Sequence, residues 1–434
     1  MRLPPSLRAF GARNFRIYMM GQAVSLVGTW MQQLATSWLV YRLTGSTFLL
    51  GVSVFCGQIP MLFLSPVAGV LADRLDRRRV ILITQTLLMA QATVLALLSR
   101  TGAVRIWHVL ALNVFFGVVN SLDMPTRQAI VPELVERRED LSNAIALNAT
   151  IVNATRLIGP TVAGLLIASY GEAACFAVNA ASFLPVIISL LLIRLPSRPA
   201  ADGGVEKPMF SGFREGLAYA FGFEPIGTIL ALLAVLSLTG MPYTVLMPVF
   251  ATKILGGSAR TMGFLTAASG LGALSGAIYL ASRGTVRGLL RRIAAGSALF
   301  GAGLIGFSLS RHFWLSELML FVAGFGVMVM MAACNTVLQT LAADDKRGRV
   351  MSLYVTALTG VAPLGGLLSG TLAVRWGAPA TVALGGAASV AGALFFATRI
   401  PALRAKVRPV YQKRGIASVP PGLGTAAEIA GRLK

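Results

Sequence analysis

The side chains most able to do chemistry in this chain are a few charges set inside apolar sequence. Asp123 and Arg127 are four apart, so on a helix they share a face and can pair. Asp123 has two readings: a proton carrier, or half of a local ion pair near the cytoplasmic rim. Arg156 interrupts an otherwise uncharged run from 141 to 171. A charge at that depth costs at least about 2.5 kcal/mol, so it should face a cavity or a partner. Candidate partners are Asp123, Asn120 and Asn153. Arg156 is then either a contact for an anionic group, within a coupling network, or a structural clamp between the fourth and fifth spans. A third concentration of charge lies at 69–80, "GVLADRLDRRRV", which holds Asp73, Arg74, Asp76, Arg77, Arg78 and Arg79.

These charges do not assemble into an enzyme. The sequence offers no nucleophile–base set, no metal-ligand cluster and no phosphate-binding glycine loop, so neither an enzyme nor a cofactor is expected. Cys56, Cys175 and Cys334 show no paired spacing, which argues against disulfides and zinc. His108 and His312 fall near predicted helix ends and read as interfacial residues.

The elements that must position these residues are membrane spans. Of 434 residues, 56% are hydrophobic and 12% charged, against about 25% charged in soluble proteins. Uncharged stretches near the spanning length of about 20 residues run 17–41, 48–72, 80–99, 106–122, 173–193, 226–252, 261–282, 293–310, 318–343, 350–374 and 376–398. A twelfth, 141–171, contains Arg156, and the fourth extends past Asp123. The sequence therefore predicts an all-α integral membrane protein of twelve transmembrane helices. No cleavable signal peptide is expected, because 17–41 is too long for one.

The net charge of +22 first suggests a nucleic-acid partner. Its distribution suggests otherwise. Thirty of the 38 Lys and Arg lie in the N-terminal arm, in alternate connections and after Thr398, and seven lie in the other connections. That asymmetry predicts a multi-pass protein of the bacterial inner membrane with both termini cytoplasmic, and no nucleic-acid partner.

The segment 195–225 reads as a cytoplasmic linker between two six-helix halves, 1–194 and 226–398. "GVLADRLDRRR" after the second span is echoed at offset 207 by "GAIYLASRGTVRGLLRR", and "GLLIASYG" at offset 206 by "GTLAVRWG". Such parallel repeats place a substrate near midplane between the halves. The basic tail, 399–434, is expected to be disordered, and the protein to be a monomer.

"GVLADRLDRRR" resembles the signature between the second and third helices of the major facilitator superfamily. Gly69, Leu71, Asp73, Arg74, Arg77 and Arg78 match, and Asp76 replaces the second glycine. The resemblance implies that Asp73 faces the N-terminal end of the eleventh helix, where a carboxylate gains about 0.3–1 kcal/mol. That contact can form only with the cytoplasmic side closed, so the turn would be a latch. The second-half copy has Leu280 and Ala281 there instead. "SLVGTWMQQLATSWLVYRLTGS", "DMPTRQAIVPELV" and "NATRLIGPTVAGLL" resemble the enterobactin-exporter and macrolide-efflux branch. Thr29 departs from the Asp that many relatives carry. Gly159, Pro160, Ala163 and Gly164 resemble the fifth-helix motif of exporters, for which packing and gating roles follow from a proline bend and small residues.

Along the first span Gln22, Ser25, Thr29, Gln32, Gln33 and Thr36 form a polar stripe that should face protein or water. In the major facilitator fold the first, fourth, seventh and tenth helices line the cavity. Their matching polar positions are Asn113 and Asn120, Thr239, Tyr243 and Thr244, and Asn335 and Gln339. With Trp30 and Trp38 this predicts an amphipathic cavity for a bulky, neutral or weakly charged solute. The function expected is proton-driven export of a small hydrophobic or siderophore-like compound by alternating access. Import of a small organic solute, or ligand sensing without net transport, are the alternatives.

Overall fold

Hydrocarbon supplies no hydrogen-bond partners, so a chain this apolar satisfies its backbone segment by segment, as helices. The computed structural model describes residues 5–135, 137–193, 209–283, 288–344 and 346–413. The helices are α1 (Arg13–Thr44), α2 (Thr47–Arg74), α3 (Arg77–Arg100), α4 (Ile106–Ile130), α5 (Leu141–Tyr170) and α6 (Glu172–Leu192), then α7 (Met209–Gly222) and α8 (Glu224–Thr239). After α8 the chain continues through a 3-10 segment, Met241–Leu246, and a π turn, Phe250–Ile254. Pro242 and Pro248 lack the N–H that a regular helix needs there. Next come α9 (Ala259–Ala281), α10 (Leu289–Leu309), α11 (Phe313–Leu341), α12 (Arg347–Val355) and, past another π turn, α13 (Ala362–Lys413).

Among the described residues, 10 helical stretches are long and apolar enough to cross a membrane. α1 is not one of them: at 32 residues it is long enough, but its Gln, Ser and Thr positions lower its mean hydropathy. The last stretch, Arg347–Gln412, is 66 residues long and breaks at Gly377, with φ 80° and ψ 161°. The chain is thus a multi-pass membrane protein.

Within the linker 195–225 lies α7, whose Glu215 pairs with Arg349 at 2.6 Å. One sequence expectation needs correction. The tail 399–434 begins as ordered helix, because α13 runs to Lys413 with Leu403 and Val407 buried. Residues 194–208 and 414–434 lie outside those described.

α1 to α6 pack chiefly on one another, as do α8 to α13. The two groups meet where α2 crosses α13 and α5 crosses α9. At the first crossing the Thr47 hydroxyl donates to the Gly370 carbonyl at 3.1 Å. At the second, a Cβ added to Gly164 would stand 2.9 Å from the Gly263 Cα. Both crossings lie toward the end of the bundle that holds the α1–α2 and α5–α6 connections. The opposite end carries the ion pairs Arg8–Asp140, Arg77–Glu133, Arg349–Glu215 and Lys406–Glu224, each within one group. The groups are therefore tied at one end only among these contacts.

Gly164→Val should force α5 and α9 apart and cost about 1–3 kcal/mol, typical of overpacking. Gly222→Val, where an added Cβ meets nothing within 4 Å, is the comparison. Thermal unfolding in detergent should show a lower midpoint for the first and a near-unchanged one for the second.

Candidate functional site

The polar stripe of α1 splits between two environments. Gln32 is buried: its amide donates to Gln91 Oε1 at 2.9 Å, and its carbonyl accepts from Asn179 Nδ2 at 2.7 Å. This chain ties α1 to α3 and α6. Ser25 is also buried and donates to Gln85 Oε1 at 3.4 Å, while Gln22 and Thr36 are nearly as enclosed. Gln33 is exposed and Thr29 partly so. An α-helix turns about 100° per residue, which puts adjacent Gln32 and Gln33 on different faces.

Asp123 is fully buried. Its Oδ1 accepts from Thr84 Oγ1 at 2.6 Å and from Gln85 Nε2 at 2.8 Å, and its Oδ2 lies 2.7 Å from Arg127 Nε. A buried carboxylate needs such company to stay charged. The Tyr18 side chain stands close enough to feel both charges. The sequence reading missed Thr84, Gln85, Gln91 and Asn179. Their signal was present, since a polar side chain inside an apolar span implies a buried partner.

The partners anticipated for Arg156 are all engaged elsewhere. Besides Asp123, Asn120 donates to Met61 Sδ at 3.6 Å and Asn153 to the Ala149 carbonyl at 2.8 Å. Arg156 forms no ion pair among the described residues. Its guanidinium instead stands over the Trp30 ring, 5.5 Å from the centroid, and is exposed. Gly159 makes this possible, because any Cβ there would lie 2.5 Å from Trp30 Cβ. Tyr243, whose hydroxyl is 2.6 Å from Ser269 Oγ on α9, stands across the same crossing, since Leu157 beside Arg156 packs against Gly270 beside Ser269. Trp30, Arg156, Tyr243 and Ser269 thus form a cluster drawn from both helix groups.

The remaining cavity candidates are less closely associated. Asn113 donates to Ser53 Oγ at 2.8 Å, joining α4 to α2. Thr239 and Thr244 donate to carbonyls of their own segment. Asn335 and Gln339 bond each other at 2.8 Å along α11.

A bundle of apolar helices in two groups, with a charged and aromatic cluster between them, is the arrangement of a membrane transporter. A family model described as "Transmembrane secretion effector" matches residues 5–415. The chain belongs to that family of major facilitators. It is a transporter and not an enzyme. This facilitator is 30% identical over 361 residues to the enterobactin exporter of Shigella boydii, covering 81% of this chain and 85% of that one. It is 25% identical over 372 residues to the staphyloferrin A transporter of Staphylococcus aureus, covering 85% and 92%. Its fold matches that of a bacterial homologue of the human lysosomal transporter Spinster, with TM-score 0.69, 14% identity and coverage of 95% of this chain and 99% of that one.

In this facilitator the fifth-helix motif serves two interfaces. Gly159 packs on α1, while Gly164 and the Pro160 carbonyl meet Gly263 of α9. The signature turn is described in part. The side chains of Gly69, Asp73 and Arg74 lie outside those described, and with them the expected latch. The second-half copy is also interrupted, at 284–287. Arg77 pairs with Glu133 at 2.7 Å and donates to the Ala129 carbonyl at 3.0 Å. Arg78 donates to the Leu190 and Leu191 carbonyls at 2.6 and 3.1 Å, at the C-terminal end of α6 where a cation is favoured. Asp76, at the position of the signature's second glycine, caps α3 by accepting from the Arg79 amide at 3.2 Å.

Gln32→Leu should strand partners on α3 and α6 and lower stability by about 1–3 kcal/mol, the cost of an unsatisfied buried polar group. Gln33→Leu, one residue away on the open face, should leave the melting temperature within error of wild type. Thermal melts of the two variants in one detergent make the comparison.

Proposed function

We propose that the protein exports a small amphipathic compound across the bacterial inner membrane by alternating access of two six-helix halves. The helices supply twelve crossings when α1 is counted and α13 is divided at Gly377. Both termini are then cytoplasmic, as the Lys and Arg distribution favours. The observation that carries the reading is the cluster of Arg156, Trp30, Tyr243 and Ser269 between the halves. Relatives named as an enterobactin exporter, a multidrug efflux pump and a macrolide efflux protein favour export over import. A guanidinium without a carboxylate partner among the described residues, beside an aromatic face, suits a cargo that brings an acidic or electron-rich group on an apolar body. The crossings at α2–α13 and α5–α9 fit a state open toward the termini.

Transport has to run on a gradient, since the sequence lacks an ATP-binding loop. We assign proton coupling to Asp123. From it Gln85 and Ser25 lead to the part of α1 where Thr29 meets the open side, giving a polar route through the N-terminal half.

Arg156→Ala should abolish substrate uptake into inverted vesicles at matched protein levels, and Arg156→Lys should remove most of it, because an ammonium does not reproduce the planar stack. Wild-type uptake in the Lys variant would show that charge alone suffices. In proteoliposomes Asp123→Asn should stop a pH gradient from driving uphill efflux while downhill exchange persists. Full gradient-driven transport in that variant would make Asp123 a structural residue.

A further inference from the structure

Away from the interface between the helix groups, a cavity of about 380 Å³ opens on the outer face of α8 and α13. Its walls are Phe221, Val235, Phe395 and Phe396, and its floor includes Gly227, Ala231 and Gly392. Phe221, Val235 and Phe395 are exposed. The lining on α8 runs from Glu224 to Val235, eleven helical steps, or roughly 16 Å at the helical rise. The groove therefore follows the helix direction and has a single polar end.

That end is charged. Glu224 lies in the cavity lining, with Lys406 Nζ 2.5 Å and Arg399 Nη1 3.6 Å from its carboxylate oxygens. The Arg399 guanidinium also covers the Phe395 ring at 5.2 Å. Two cations against one carboxylate leave the mouth net positive, and both cationic side chains are about half exposed. An apolar slot ending in excess positive charge at the end of a membrane bundle complements one class of molecule.

The geometry points to a binding site for an anionic phospholipid, with one acyl chain in the slot between α8 and α13 and the phosphate at Arg399 and Lys406. Basic pockets between membrane helices capture acidic headgroups in this way. The acyl chain covers the small-residue floor, which otherwise leaves a gap that straight lipid neighbours pack poorly. The phosphate shares Lys406 with Glu224 and takes Arg399, which Glu224 holds at the longer distance. A zwitterionic lipid leaves the excess charge unmatched.

The test uses the full chain in vesicles of phosphatidylcholine with phosphatidylglycerol or phosphatidylethanolamine added. Native mass spectrometry of the released protein reads which lipid stays bound. Wild type should retain phosphatidylglycerol over both other lipids. Arg399→Gln with Lys406→Gln should lower that preference by about fivefold or more. Ala231→Phe, which fills the floor and keeps the charges, should also remove it. Arg79→Gln, with a side chain 84% exposed at the same end of the bundle, should not. Equal retention of all three lipids, preferential retention of phosphatidylethanolamine, an equal loss in the Arg79 variant, or full retention in the Ala231 variant would each overturn the assignment.

Discussion

The close approach of α5 to both α1 and α9 is the contact on which the rest of the arrangement depends. Gly159 lets α5 lie against Trp30, and Gly164 lets it touch Gly263 across the boundary between helix groups. Lipid tails are as apolar as leucine, so membrane helices associate through such close packing and through polar contacts rather than by exclusion from water. With a bulkier residue at Gly159, Arg156 would lose its place over Trp30.

Polar residues in the bundle divide into two populations. One lies inside the N-terminal group, where Thr84, Gln85 and Arg127 hold Asp123, and Gln91 and Asn179 hold Gln32. These contacts fix α1, α3, α4 and α6 as a unit. The other is open: Arg156, Gln33, Thr244 and Gln339 are exposed within the bundle's span, with no carboxylate opposite Arg156 among the described residues. A group tied internally by polar contacts, facing a region of exposed polar side chains, is what rocking of one body against another requires.

Much of this was legible in the sequence. Long uncharged runs marked the helices, and the pairing of Asp123 with Arg127 followed from four-residue spacing. The signature turn carried the family, and its departure at Asp76 has a local cause in the cap of α3. Less legible was which side of α1 faces inward. Gln32 and Gln33 are chemically identical, and only the positions of Gln91 and Asn179, on helices distant in sequence, decide which is buried. The setting of Arg156 was hidden for the same reason, since an aromatic face from α1 and a phenol from beyond α8 leave no trace near residue 156. The helical start of the tail was missed because its high charge outweighed the buried Leu403 and Val407.

The division of α1 into a satisfied face and an open face also constrains the length of that helix. One residue inserted between Ser25 and Thr29 would turn everything beyond it by about 100°. Gln32 would swing away from Gln91 and Asn179, and the Trp30 ring would leave the guanidinium of Arg156. An insertion of a full turn would restore the facing but slide each group by about 5 Å along the axis. Residues 22–36 can therefore vary in identity more readily than in number, and natural insertions and deletions should concentrate in the connections at either end of the helix.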